Sequence, residues 1–446
     1  MMAIETGKDC VREQIIQSIQ QILRIPSSQL SANKAQIDQL VASLSSITQI
    51  DLHPYIFRDR HASSTAHGKA VSMTTAAQCA EEYMRTQVFL RGVNQAIQDK
   101  LRDKQPIELL YAGTGPFGLL VIPLLALFDC KQIQVTLLDI HAESLAALKQ
   151  VIAQLNVEAH IRQIECVDIL HWQPPAQVNY DLIVSETMKA MLEQEPQVAI
   201  FAHLSRWLTQ TGQLIPQQVE IDAWLSDNQE AQPAIHLGSI FKLNRQTADE
   251  IGTGNTRSLT GQLQIPTYPA SCTALKFTTD IQVYRNHCLT ERQCSLNLPR
   301  VIKNAYPATG STLNFSYCQG AYPSFHFDYV QALSEADGPL CDSFDTTLLG
   351  ILHLKRLWQK AQKNKKRQLD RQRYKQEWPL DIQLMNALPG NSADITQQLY
   401  QCDSSEAFTR WLHTQSPEPI TLTHVNRINK TLYQTVKAFA ESHSDT

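Results

Sequence analysis

The sequence predicts an α/β protein: a doubly wound parallel sheet followed by a β-rich domain, with helical segments at both ends. Three observations carry that prediction. Short apolar strands alternate with helical-period stretches from about 107 to 225. The first of those strands runs into three glycines within six positions, in LLYAGTGPFGLLV at 109–121. Beyond 235 the helical period fades into alternation broken by Gly, Pro and Asn. A chain of 446 residues calls for two or three structural units.

Ile15, Ile16, Ile19, Ile22 and Leu23 recur at helical spacing until Pro26, and Ile37, Leu40, Val41 and Leu44 mark a second helix. Residues 1–70 therefore read as a helical N-terminal segment. A longer helix is expected over 74–99, capped by Thr74 or Thr75. The central domain, 71–230, then reads as strand IELLYAG, a helix after the glycines, strand QVTLLDI with helix AESLAALKQVIAQL, strand HIRQIECVDI and strand YDLIVSE. Helix EPQVAIFAHLSRWL and a returning strand GQLIPQQVEIDAWL complete it. Residues 231–335 hold LKFTTDIQVYR, RQCSLNLPRVI, TLNFSYCQG and SFHFDYVQ, an antiparallel pattern. In 336–446 helices return, in LLGILHLKRLWQKAQ, DITQQLYQC, SEAFTRWL and NRINKTLYQTVKAFA.

Composition narrows the class. Hydrophobic residues at 43% and charged residues at 18% describe a globular chain, and a net charge of -4 gives no general attraction to nucleic acid or anionic membrane. The longest apolar run, Leu119 to Phe128, has about half the length of a bilayer span. The opening MMAIETGKDCVREQIIQ has no basic flank followed by an apolar stretch, so no secretory signal is read and a cytoplasmic location is expected. Ten cysteines form no C-x-x-C pair, and Cys288 and Cys294 lack the histidine spacing of a zinc set. Reduced thiols and no metal site follow. The densest basic run lies at 355–375, with Asp370 its one acid. It reads either as a docking surface for RNA or a carrier protein, or as a solvated helix face and connector. Trp358, Trp378 and Trp411 read as parts of local helical cores.

Gly113, Gly115 and Gly118 spell G-x-G-x-x-G between a strand and a helical stretch, which brings backbone close to a ligand at a helix N-terminus. A nicotinamide or flavin is one occupant, with an acid on its ribose about 20 residues on. Asp139, ending the second strand, serves any adenosine ribose equally well. Asp168, ending the third strand, is placed to accept from an adenine amino group or to cap a turn. Glu186 follows the fourth strand at the edge where open α/β sheets bind ligands.

A glycine loop with acids after three successive strands resembles the class I S-adenosylmethionine-dependent methyltransferases. Tyr111 stands where that family often has Asp or Glu before the glycines. EYMRT (82–86) and SETMKAMLEQE (185–195) narrow the resemblance to the protein arginine methyltransferases. It implies a Rossmann-like methyltransferase sheet with a barrel-like β domain, S-adenosyl-L-methionine as cofactor and a homodimer. It also implies that Arg85 pairs with the cofactor carboxylate, while Glu186 and Glu195, nine residues apart, grip a substrate guanidinium. Glu193 competes for the second position, and Glu195 also reads as an acidic first turn of the following helix. The family's Thr-His-Trp tripeptide is missing, SFHFDY with His326 being the nearest stretch; its N-terminal Tyr-Phe motif is missing too, although HPYIFRDRH precedes the helix. The implied reaction is N-methylation of a guanidino or amino group on a small molecule, a carrier-bound intermediate or a protein arginine. The alternatives are an O- or RNA-methyltransferase, a nicotinamide-dependent oxidoreductase and a non-catalytic scaffold of this fold.

Overall fold

The structure, a computed structural model, describes residues 2–26, 33–52, 59, 62–176, 178–227, 230, 233–269, 271–303, 305–331, 358 and 392–415. It divides into two compact units, Met1–Tyr329 and Val330–Thr446. Apart from Trp358, the basic run 355–375 and the expected helix at 348–362 lie outside the described residues, as do the expected helix at 426–440 and most of HPYIFRDRH. No helix among the described residues is long and apolar enough to cross a membrane.

In the first unit, helices α1 (Met2–Arg24) and α2 (Lys34–Thr48) pack together through Ile15, Ile19, Ile22, Ile37, Leu40 and Leu44, all fully buried. A short hairpin, β1 (Ser63–Thr65) and β2 (Gly68–Ala70), leads into α3 (Met73–Gln78). Ser72, rather than either threonine, caps α3 by accepting the Thr75 N–H. The helix expected over 74–99 is in fact two. A tight turn at Cys79–Glu81 and non-helical backbone at Glu82 separate α3 from α4 (Tyr83–Asp103), so Arg85 falls in the first turn of α4. The buried Arg91 of α4 donates from Nε to the Ile22 carbonyl at 2.8 Å, fastening α1 to it.

Five strands follow: β3 (Ile107–Ala112), β4 (Ile133–Asp139), β5 (Ile161–Cys166), β6 (Tyr180–Ser185) and β7 (Leu208–Ile215). They pair in the order β5-β4-β3-β6-β7, every pair parallel. Central strands of such a sheet are covered on both faces, which is why all of β6 and nearly all of β3 is buried. Between β3 and β4 only a four-residue helix forms, α5 (Ile122–Leu125), shorter than the sequence leads one to expect. Helix α6 (Ala142–Leu155) and α7 (Gln197–Leu204) connect the later strands.

The expected single strand over 212–225 breaks at Pro216, where the chain leaves the parallel sheet. Its second half is β8 (Gln218–Ser226), followed by β9 (Ile235–Asn244), α8 (Arg245–Gly252), β10 (Thr260–Gln264), β11 (Ala274–Tyr284), β12 (His287–Leu289), β13 (Arg300–Ile302), β14 (Thr312–Cys318) and β15 (Ser324–Asp328). These form two antiparallel sheets, β12-β11-β8-β9 with β13 on β11, and β10-β14-β15. Helix α4 lies against β11 so closely that a Cβ on Gly92 would come within 2.5 Å of Val283 Cγ1. The fold is therefore a Rossmann-like α/β sheet continued by a β-rich domain.

The second unit contributes α9 (Ser392–Gln401) and α10 (Ser405–Thr414). Ile395, Leu399, Phe408 and Leu412 are buried, and Trp358 Nε1 donates to the Cys402 carbonyl at 3.1 Å.

Candidate active site

The chain runs from β3 outward through β4 to β5, then returns to the other side of β3 as β6. Such a reversal leaves a crevice beyond the carboxyl ends of the central strands. A cavity of about 630 Å³ occupies it, walled by the segments that follow β3, β4, β5 and β6.

Gly113 and Gly115 line this cavity at φ +75° and +59°, backbone that L side chains rarely adopt. A Cβ on Gly113 would sit 2.4 Å from Thr187 Cγ2, whereas one on Gly115 meets only Ala76 Cβ at 3.5 Å. Gly118 departs from the expectation of a ligand contact. It lies outside the cavity wall, and its Cβ would strike Ile122 Cγ1 and Leu148 Cδ1, both at 2.5 Å. Its role is to let the loop pack on α5 and α6.

Asp139 is buried in the cavity wall. Its Oδ2 accepts the Gly115 N–H at 2.8 Å and the Thr114 hydroxyl at 3.4 Å, and its Oδ1 accepts the His141 N–H at 2.9 Å. Burial raises its pKa against those donors. Asp139 thus ties the glycine loop to the end of β4 before any ligand is considered. Asp168 also lines the cavity; its Oδ1 accepts the Leu170 N–H at 3.0 Å and caps the turn Ile169–His171. The turn-capping reading describes that oxygen.

Arg85 and Glu186, from α4 and the end of β6, form a buried ion pair. Arg85 Nε donates to Glu186 Oε2 at 3.1 Å, Nη2 donates to the same oxygen, and Glu82 lies 3.6 Å from Arg85 Nη1. Burial opposes the Arg85 charge, but the Glu186 carboxylate, Cys79 and Glu82 together outweigh it and hold the guanidinium above its usual range. Burial likewise raises the Glu186 pKa, with Arg85 pulling the other way. Among the described residues Glu186 Oε1 is buried without a hydrogen-bond partner of good geometry, although the Met188 N–H lies near enough to the carboxyl group to favour its ionisation. Glu195, 7% exposed, lines the same cavity, and burial together with the Glu186 charge lifts its pKa to about 7. Tyr111, where an acid was the family expectation, is a buried phenol whose pKa is raised by burial and by Glu186.

The segment between the two glutamates is strained and heavily anchored. Met191, Leu192 and Gln194 all have φ between +55° and +67°, conformations disfavoured for side-chain-bearing residues. Antiparallel strands hold them: Thr279 Oγ1 accepts the Met191 N–H at 2.9 Å, and the Tyr317 hydroxyl donates to the Leu192 carbonyl at 2.7 Å. Glu193 Oε1 receives Arg300 Nη1 at 2.5 Å and the Phe325 N–H at 3.2 Å. Glu193 lines the cavity too but is thereby tied to the β-rich domain, while among the described residues Glu195 carries no such partner. Gln197, fully buried, accepts from the Thr187 N–H at 2.8 Å and donates to the Ser185 carbonyl at 3.1 Å, joining the two ends of the loop.

Sequence reasoning missed Gln197, Arg300, Tyr317 and the β1–β2 hairpin. A lone glutamine opening the apolar helix QVAIFAHL was the one available signal. His326 is exposed on β15 and does not reach the cavity wall. Among the described residues no group of three His, Cys, Asp or Glu gathers as a metal site.

Glycine loop, acid-bearing strand ends and an adjoining β domain define an α/β protein whose cavity is lined by several carboxylates, Asp139, Glu186 and Glu195 among the least exposed. No protein-family model matches the chain, and no curated protein matches it. Among solved structures, it is similar to the Trypanosoma brucei PRMT1 enzyme–prozyme heterotetrameric complex with AdoHcy. That match has 14% identity and a TM-score of 0.39, covering 57% of this chain and 93% of that one. It is also similar to Arabidopsis thaliana protein arginine methyltransferase 10 in an open conformation, at 11% identity and a TM-score of 0.34, over 51% of this chain and 84% of that one. These likenesses concern chain architecture and transfer no residue role.

Proposed function

We propose that the protein is an S-adenosylmethionine-dependent N-methyltransferase acting on a guanidino or amino group. One observation carries this reading: two little-exposed carboxylates, Glu186 and Glu195, line one cavity, and the charge of Glu186 adds to burial in raising the cost of ionising Glu195. A cation between them relieves that cost; an anionic or phenolic acceptor adds to it.

The residues present fit the cofactor. Gly113 and Gly115 offer a wall without side chains, and Asp139 and Asp168 offer carboxylates to ribose hydroxyls and an adenine amino group. Each carboxylate keeps acceptor capacity beyond the backbone bonds described, since it has about four lone-pair sites. The bound cofactor supplies an electrophilic methyl group on a sulfonium sulfur. Glu186, fixed by Arg85, orients the acceptor nitrogen and keeps positive charge on the nitrogens that do not react. Glu195, with a pKa near 7, takes the proton that the alkylated nitrogen releases.

The first test is thermal denaturation with S-adenosylhomocysteine or NADH, because a ligand bound to the folded state raises its midpoint. A rise with the former alone supports the proposal; a rise with NADH alone ends it. Transfer of labelled methyl from S-adenosylmethionine to guanidino and amino acceptors, lost in Glu186→Gln, completes the test.

A further inference from the structure

The glutamates do not exhaust the charges of the cavity wall. Lys69, in β2, and Lys189, in the loop after β6, share that wall, and both lie close enough to Glu195 to favour its ionisation. The hairpin brings Lys69 there by very close packing. A Cβ on Gly68 would lie 2.9 Å from the Glu195 carbonyl carbon, and the Lys69 N–H donates to the Gln194 carbonyl at 2.7 Å. The Lys69 ammonium is steered by Asp59 at 3.4 Å. Among the described residues Lys189 has no carboxylate so near, and the one whose ionisation it favours is Glu195. Its Nζ donates to the neutral Gln194 Oε1 at 3.1 Å and forms no ion pair among the described residues. The wall therefore pairs two carboxylates that call for a cation with an ammonium that calls for an anion.

We infer that the site takes a zwitterionic small molecule, an amino or guanidino carboxylate, with its cationic nitrogen at Glu186 and Glu195 and its carboxylate on Lys189 and Lys69. The inference rests on the function proposed above. A side chain embedded in a polypeptide presents neutral amides where the free acid presents a carboxylate, and offers Lys189 no charged acceptor in place of the neutral Gln194 Oε1. The free acid satisfies both halves of the wall at once, each contact being a charge-assisted hydrogen bond.

Full-length protein saturated with S-adenosylhomocysteine is titrated calorimetrically with matched probes, at a pH well above 7 so that Glu195 is ionised. The pairs are L-arginine and L-argininamide, γ-guanidinobutyrate and its amide, and L-lysine and L-lysinamide. The acids are expected to bind about tenfold more tightly than the amides, the worth of one contact to a charged group. Lys189→Met removes most of that preference without weakening the amides. Glu186→Gln weakens acids and amides alike. Amides binding as tightly as acids, arginine within a peptide binding more tightly than free arginine, or no probe binding at all would each overturn the inference. Failure of S-adenosylhomocysteine itself to bind would remove the methyltransferase reading too; its binding without an acid preference removes the anionic subsite alone.

Discussion

Arg85 and Glu186 meet through a single carboxylate oxygen: Arg85 Nε and Nη2 both donate to Glu186 Oε2, while Oε1 is left buried without a hydrogen-bond partner of good geometry among the described residues. The pair joins the first turn of α4 to the end of β6. The residue expected to hold the cofactor and the residue expected to hold the acceptor are therefore one ionic unit. Breaking a buried pair leaves an uncompensated charge and costs about 3–5 kcal/mol. Arg85→Met is expected to lower the unfolding free energy by about that amount. It should also reduce kcat while raising the cofactor KM, because Glu186 without its partner takes up a proton. Denaturant unfolding and steady-state kinetics check this; a raised KM with unchanged kcat and stability would show that the two residues act separately.

Glu195 gives the protein a pH-dependent strain. Its folded pKa of about 7 exceeds the usual 4.5, so between those values the folded state binds more protons than the unfolded one. Stability then falls as pH rises through that window, by roughly 3 kcal/mol at 1.36 kcal/mol per unit. Glu195→Gln should accordingly raise the melting temperature at pH 8 and make no difference near pH 4. Activity should rise through pH 7 in the parent, and that limb should vanish in the variant. A melting profile unchanged by Glu195→Gln at every pH would mean that the carboxylate is solvated.

The loop glycines separate folding from binding. Gly113→Ala places a Cβ 2.4 Å from Thr187 Cγ2 and is expected to disturb the loop that carries Glu186. Thr187→Ser removes that methyl and should restore part of the loss. Gly115→Ala meets no atom closer than 3.5 Å and should fold at a cost of about 1–2 kcal/mol for its left-handed backbone. Melting temperatures with and without S-adenosylhomocysteine distinguish the two. Equal loss of ligand response in both single variants would put the steric conflict on the ligand side.

The parallel sheet was legible because buried strands write continuous apolar runs, as in Leu109–Ala112 and Leu182–Val184, and because glycines and acids fall at strand ends. Helix boundaries were less legible. Nothing in the local pattern of EEYMRT announces the break at Glu82, where α4 begins. The cavity wall was legible where one residue ends or follows one strand, as with Asp139 and Glu186. It was not legible where distant strands converge: Thr279, Arg300 and Tyr317 bond to a loop 88 to 125 residues earlier in the chain, a separation no periodicity encodes. Gly118 packs on α5 and α6 while Gly113 and Gly115 line the cavity, a difference the sequence hides because a glycine required for packing and one required for ligand approach look alike.

That convergence yields the sharpest test of which glutamate is functional. Glu193 and Glu195 are two residues apart, yet Glu193 points its carboxylate to Arg300 and the Phe325 N–H, and Glu195 keeps its own in the cavity with Glu186. Glu193→Gln retains an acceptor for Arg300 and the Phe325 N–H, so its kcat should stay within a few-fold of the parent. Glu195→Gln removes charge from the reacting centre, where a single electrostatic contact is worth about 10²–10³ in kcat. Arg300→Met should fall between them, acting through the loop: Glu193 loses its ion-pair partner, the positive-φ turn at Met191–Gln194 loosens, and Glu195 is held less firmly. Its signature is a lowered kcat with little change in melting temperature, since Arg300 is 41% exposed and an exposed pair adds little stability. Combining Arg300→Met with Glu193→Gln should cost no more than Arg300→Met alone, because both act on one contact. A Glu193→Gln enzyme as impaired as Glu195→Gln, with the Arg300 variant unaffected, would reverse the assignment and make Glu193 the second carboxylate of the site.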